Sequence, residues 1–206
     1  MKVLLLGATG RTGSVILDLF LKNNHSVHTL VRSPEKITET HKQMKIVEGN
    51  VLNAEDLQQA ITGCEAVVSA LNTDGDHTIS ASMPLIIEAM KKEGIKRVVT
   101  IGTAGILNSR FEEGKYRYET KESKRKSTRA AEDHRKGYEL LKESDLDWTI
   151  VCPTYLPDGK RIGSCRAEKN LLPLDGKKIH VPDVAEFSYY ELFNKDYLNS
   201  RVGIAY

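Results

Sequence analysis

Six short apolar runs constrain this chain more than any other feature: KVLLLG (2–7), HSVHTLV (25–31), MKIVEG (44–49), EAVVSAL (65–71), RVVTIG (97–102) and WTIVCP (148–153). Runs of this length, rich in Val, Leu and Ile and with little polar alternation, suit strands buried on both faces of a parallel sheet. Helix-period stretches at 12–23, 54–62, 78–93 and 127–144 lie between them, with Asp56, Asp74 and Ser127 as start signals. Strand–helix alternation demands right-handed crossovers, and the expected fold class is α/β with an open, doubly wound parallel sheet.

The first strand-to-helix turn carries glycines 7, 10 and 13 in LLLGATGRTG, directly before the amphipathic SVILDLFLK. Glycine inside regular structure costs about 0.5–1 kcal/mol relative to alanine, so three at fixed spacing imply a backbone that needs them. In a Rossmann-like sheet, ligands bind beyond the carboxyl ends of the strands, where strand order reverses, and this turn lies there. Gly7 would turn the chain, Gly10 would admit a pyrophosphate against the backbone, and Gly13 would let the helix pack on the strand. The helix N-terminus then holds the anion. The spacing is G-x-x-G-x-x-G rather than the G-x-G-x-x-G of ordinary dehydrogenases.

The end of the second strand selects the dinucleotide. An NAD site usually places Asp or Glu there for the ribose 2′-hydroxyl, whereas arginine accommodates a 2′-phosphate. Here the sequence is LVRSPEK, offering Arg32 as a bidentate clamp, Ser33 as a hydroxyl and Lys36 as a point charge. NADP(H) is therefore the expected cofactor, unless Arg32 is a solvated strand-end charge.

Two stretches break the alternation. Residues 108–129 are densely charged and longer than most loops in compact domains, which suits a solvated lid that closes on ligand. Residues 156–206 are expected to add a small C-terminal substrate lobe to a single domain of 206 residues, with a strand at KKIHVP, a helix at DVAEFSYYELF and a final strand at RVGIAY. Thirty basic against 28 acidic residues leave a net charge of +2, too little to commit the chain to nucleic acid or an anionic membrane. The basic stretch KESKRKSTR has acidic residues interspersed and no aromatic stacking array. Three widely spaced cysteines argue against a disulfide framework or a metal site and for a reducing, cytoplasmic compartment. No signal-like or membrane-spanning run is present.

GATGRTG, LVRSPEK, EGNVLNAEDL and SDLDWTIVCPTYL together resemble the atypical short-chain dehydrogenase/reductase family, in particular its NmrA-like NAD(P)H-flavin reductases and the flavin/biliverdin reductase B group. The likeness extends to VPDVAEF and RVGIAY. It implies that Thr9, Gly10, Arg11 and Thr12 cradle the pyrophosphate, with Arg11 also a candidate for the 2′-phosphate. Asn50 and Val51 would flank the adenine, with Asn50 standing where the family often has aspartate. Ala70 and Leu71 would line the ribose path, and Thr103 would sit near the nicotinamide.

Ordinary members of the superfamily use a Tyr-x-x-x-Lys pair as proton donor. YELLK, Tyr138 to Lys142, matches that pattern. Alignment on the following strand puts the family's pair near Ala130 and His134, two helical turns or about 11 Å earlier, so Tyr138 is expected to pack and Lys142 to be solvated. Three other side chains are candidates. Thr103 occupies the usual serine position and either bonds the acceptor or carboxamide or merely caps its strand. Tyr155, where the flavin/biliverdin reductases carry histidine, either stacks on or protonates a flat substrate or packs. His134 either bonds a cofactor ribose hydroxyl or is a surface group titrating near 6.5.

Reduction of an isolated carbonyl develops an alkoxide that needs a donor at once, whereas a flavin such as FMN can take its proton from water. The expected activity is hydride transfer from NADPH to a flavin-like, planar small-molecule acceptor by a monomer or homodimer. The alternative is a non-catalytic NADP(H) sensor of the NmrA type. An epimerase-like reading lacks both the large substrate lobe and the Tyr/Lys pair.

Overall fold

The burial pattern of the first strand shows how the fold is assembled. In β1 (Lys2–Leu6), Leu4 and Leu6 join one hydrophobic cluster and Val3 and Leu5 the other, all with no exposed surface. Such a strand is stable only between two helical layers, because each fully buried Leu or Val contributes about 1.5–3 kcal/mol that an open face would forfeit. The computed structural model describes residues 1–38, 40–73, 77–123, 125 and 127–206. Its order is β1, α1 (Arg11–Lys22), β2 (Ser26–Val31), β3 (Met44–Glu48), α2 (Ala54–Ile61), β4 (Ala66–Ser69), α3 (Thr78–Lys92), β5 (Arg97–Ile101), α4 (Arg129–Lys142), β6 (Asp147–Pro153), β7 (Arg166–Lys169), α5 (Val181–Asn194) and β8 (Ser200–Ala205).

The strands form one sheet in the order β3-β2-β1-β4-β5-β6-β8-β7. All neighbours are parallel except β7, which runs antiparallel to β8 at the edge. Residues of α1 and α5 pack with Val3, Leu5, Val27, Val68, Val99 and Val151 on one face. Residues of α2, α3 and α4 pack with Leu4, Leu6, Val67, Val98 and Ile150 on the other.

Each of the six strands and four helices expected up to residue 153 forms within a residue or two of its expected ends. The start signals fare differently. The cap of α2 is Asn53, whose side chain accepts from the amides of Glu55 and Asp56, and Asp56 lies inside the first turn. α4 has Thr128, not Ser127, at its cap position, and Asp74 lies outside the described residues.

The C-terminal segment completes the main sheet, β8 pairing with β6 and β7 with β8. No strand forms over 177–182. Lys178 makes one isolated bridge to Tyr155, and Val181 with Pro182 opens α5, where a missing proline N–H does no harm. β7, sequence RAEK, is too polar to announce itself; it is a short, half-exposed edge strand.

Two polar anchors hold helices to this frame. Arg97 of β5 and Glu191 of α5 form a buried ion pair at 3.1 Å, and Thr149 bonds both. Asp133 of α4, also buried, accepts from the amides of Ile79 and Ser80 and from the Ser80 hydroxyl, so α4 supplies the cap that α3 lacks.

Candidate active site

Strand order reverses between β1 and β4, and the chain leaves β1 through the glycine turn at that point. Gly7 has φ +79°, and a Cβ there would lie 2.5 Å from the Ala70 carbonyl oxygen. A Cβ on Gly13 would lie 2.0 Å from the Gly7 carbonyl oxygen. Both positions are closed to any side chain by the protein itself. Gly10 differs: it is exposed, and a Cβ would meet only the Gly7 oxygen at 3.3 Å. A small shift of that carbonyl would admit a side chain, so the fold closes this position far less than the other two.

Gly10 is also the N-cap of α1, with extended backbone, no side-chain cap and no acidic residue in the first turn. The amides of Arg11, Thr12 and Gly13 belong to that turn, where no intrahelical acceptor exists. α2 and α3 satisfy their first turns through Asn53 and Asp133, while α1 has no side-chain cap. Such an end suits a diphosphate. The residues present thus fit the phosphates of a dinucleotide.

The residues expected around the adenosine lie where β2 and β3 stop side by side, Gly49 donating its amide to the Val31 carbonyl at 3.0 Å. Arg32 and Lys36 are exposed there and Ser33 is half-buried. Asn50 is exposed and fixed twice, its amide donating to Asp56 at 2.8 Å and its side-chain oxygen accepting from Leu52 at 3.0 Å. The Val51 side chain turns into the core, which leaves only its backbone for an adenine. Ala70 and Leu71, both half-buried, abut the glycine turn. Thr9 is exposed and Thr12 half-buried.

Arg11 departs from expectation. Its guanidinium is drawn to the segment after β6, donating to Asp158 at 2.9 Å and to the Leu156 carbonyl at 2.9 Å. A carboxylate and a carbonyl side by side satisfy its planar fork there.

Of the residues expected near the nicotinamide and acceptor, Thr103 is half-buried at the end of β5 and accepts from the Gly105 amide at 3.3 Å, capping the short 3₁₀ turn 104–106. Its O–H remains able to donate. A Cβ on Gly105 would stand 3.1 Å from that of Ala131, so the first turn of α4 packs beside Thr103. His134 lies on the next turn and is not an ordinary surface histidine. Part of it meets solvent, but burial pushes its pKa down to about 4, with Asp133 opposing and Arg125 adding to the shift. It is a neutral imidazole at physiological pH. Tyr155, at the end of β6, is 66% exposed.

Tyr138 is 9% exposed, edge-on to Trp148 with ring centroids 5.7 Å apart, and Lys142 is in solvent. The Y-x-x-x-K match is therefore structural. The cysteine thiols are also quiet: burial raises Cys64 to about 11 and Cys152 to about 12. His28 cannot activate Cys64, because its Nδ1 donates to the Ala60 carbonyl at 2.8 Å.

Of the charged segment 108–129, expected as a solvated lid, Lys124 and Lys126 lie outside the described residues, and the 109–122 part is bonded to itself and to the body. Ser109, Arg110 and Arg117 all donate to Glu122, Arg110 also bonds Glu168 and the Leu172 carbonyl, and Arg135 of α4 donates to the Tyr118 hydroxyl at 3.0 Å. Burial opposes ionisation of Glu122, yet these donors hold its pKa below the ordinary carboxylate value. Among the described residues no group of three His, Cys, Asp or Glu side chains is placed to hold a metal ion, and no helix is long and apolar enough to cross a membrane.

A family model described as NAD(P)H-binding matches residues 7–195. YwnB of Bacillus subtilis (strain 168) is 27% identical over 211 residues, covering 98% of this chain and 96% of that protein. A crystal structure of a candidate epimerase from Bacteroides thetaiotaomicron shares 29% identity and a TM-score of 0.87, covering 100% of this chain and 96% of that one. A candidate NADH-flavin reductase from Streptococcus pneumoniae TIGR4, 22% identical over 100% of this chain and 99% of its own, superposes with a TM-score of 0.83.

Proposed function

The chain belongs to the NAD(P)H-binding family and has an oxidoreductase-like fold, and from that premise we propose that it is an NADPH-dependent reductase of a flavin or similar planar, conjugated acceptor. The observation that carries the cofactor half is the first turn of α1, which has no side-chain cap and begins at an exposed glycine that leaves its amides open to an anion. The amides of Arg11, Thr12 and Gly13 would hold the diphosphate, and Arg32, Ser33 and Lys36 the 2′-phosphate. When bound, the reduced nicotinamide supplies a hydride. Thr103 and the neutral His134 would orient that end of the cofactor through hydrogen bonds.

The acceptor half rests on Tyr138 and Tyr155. With Tyr138 in the core and Lys142 in solvent, the Y-x-x-x-K pattern supplies no general acid, which favours an acceptor that takes its proton from water. Tyr155 offers an exposed ring on which a flat molecule can stack. The name of the pneumococcal neighbour points the same way.

The same Tyr138 burial favours a second reading, a non-catalytic NADP(H) sensor. NADPH oxidation followed at 340 nm (a general optical property of the cofactor) with FMN, riboflavin and quinones separates the two. Turnover with at least one acceptor, reduced about two- to tenfold in Tyr155→Ala as the loss of one aromatic stack worth about 0.5–1.5 kcal/mol implies, supports the reductase. Tight NADPH binding with no acceptor reduced supports the sensor.

A further inference from the structure

Arg201 is 5% exposed in the interior strand β8, in a run whose other members are buried and mostly apolar. A buried guanidinium ordinarily has a carboxylate partner, because an unpaired charge costs several kcal/mol to desolvate. Here its partners are of another kind. It donates to the Ile106 carbonyl and, at 2.7 Å, to the Asn108 side-chain oxygen, while Nε is buried without an acceptor. Its charge lies 4.4 Å from the Tyr138 ring centroid and 5.3 Å from that of Tyr116.

The stack continues outward. Tyr116 lies nearly parallel to Tyr118 with centroids 6.0 Å apart, and Arg135 of α4 sits 4.8 Å over Tyr116 while bonding the Tyr118 hydroxyl. Guanidiniums and rings thus interleave from the sheet, through the segment that follows Thr103, to the helix that carries His134. Cation–π contacts gain strength where they are desolvated, which compensates a charge that has no carboxylate partner among the described residues.

We infer that Arg201 is a positioning residue that holds residues 104–118 as a fixed wall on the acceptor side of the site, and that this wall is built into the fold rather than closed as a lid. The inference rests on the reductase reading for its kinetic consequence, and on the stack alone for its structural one. Lysine cannot replace arginine here, since it lacks both the two-pronged donation to Ile106 and Asn108 and the planar face.

The test compares wild type with Arg201→Met, Arg201→Lys and the milder Asn108→Ala. Hydrogen exchange by mass spectrometry is the first readout. In Arg201→Met and Arg201→Lys the amides of 104–118 exchange at least tenfold faster while those of β1, β4 and β5 keep their protection, and Asn108→Ala gives a smaller increase confined to the same segment. Steady-state kinetics with NADPH and FMN is the second: the acceptor KM rises tenfold or more in Arg201→Met, with kcat and the NADPH Kd within about twofold.

Unchanged exchange over 104–118 in all three variants overturns the anchoring role, as does rescue by Arg201→Lys, which would make charge rather than shape the cause. If Arg201 variants do not fold, Asn108→Ala decides alone. Absence of flavin or quinone reduction by wild type counts against the reductase reading and leaves the exchange result to judge the anchor.

Discussion

At the scale of single residues, the three glycines of the opening turn are alike in sequence and separated by geometry. Gly13→Ala forces a Cβ to 2.0 Å from a backbone carbonyl, so it should destabilise the fold by about 1–3 kcal/mol, read as a lowered Tm, and distort the cradle as well. Gly10→Ala, with its Cβ at 3.3 Å from the Gly7 oxygen, should fold with a nearly normal Tm yet bind NADPH about tenfold more weakly. Equal Tm losses in the two variants would contradict this division of labour.

His134 makes a prediction of a different kind. Its folded pKa of about 4 lies below its unfolded value near 6.5, so between these pH values the unfolded chain binds more protons. Its contribution to stability is full above about pH 6.5 and is lost as pH falls toward 4. The loss is on the order of 1–3 kcal/mol after discounting for partial solvent contact. Tm measured from pH 7.5 to 4.5 should fall less steeply in His134→Gln than in wild type; identical slopes would refute the assignment.

At the scale of elements, helices α3 and α4 are joined through one carboxylate. Asp133 caps α3 from outside its own helix, so Asp133→Ala should cost about 1–2 kcal/mol, or roughly 2–8 °C in Tm, and Ser80→Ala made on top of it should cost little more. Fully additive losses would show that the two do not act as one unit. This cap was not legible beforehand: an aspartate before a histidine on a charged helix gives no sign that it reaches a neighbouring helix 53 residues away in sequence. Asn53 was legible in principle, as an asparagine directly before an acidic helical turn, and Asp56 drew attention from it. The apolar strands announced themselves because burial on both faces leaves no polar alternation, whereas RAEK at an edge is held by ladder hydrogen bonds that any sequence can make.

At the scale of the whole molecule, sheet order places Arg32 at the end of β2 and Tyr155 at the end of β6, four strand spacings or about 19 Å apart, with the glycine turn and Thr103 between. The glycine turn on that line was legible in the sequence because a chain that crosses its own backbone closely at positions 7 and 13 needs glycine there. The surroundings of Thr103 were not, since Arg201 gives its reason only once β8, α4 and residues 104–118 are seen together. Arg11 likewise has its partner 147 residues away at Asp158. Parallel calorimetric titrations of the protein with NADPH and NADH, repeated on Arg32→Ala, test the central claim most directly. Losing charge-assisted bonds worth about 1.5–3 kcal/mol corresponds to about 10- to 100-fold. NADPH should bind tighter than NADH by that factor in wild type and by little in the variant; equal affinities in wild type, or saturable binding of neither, would contradict the account.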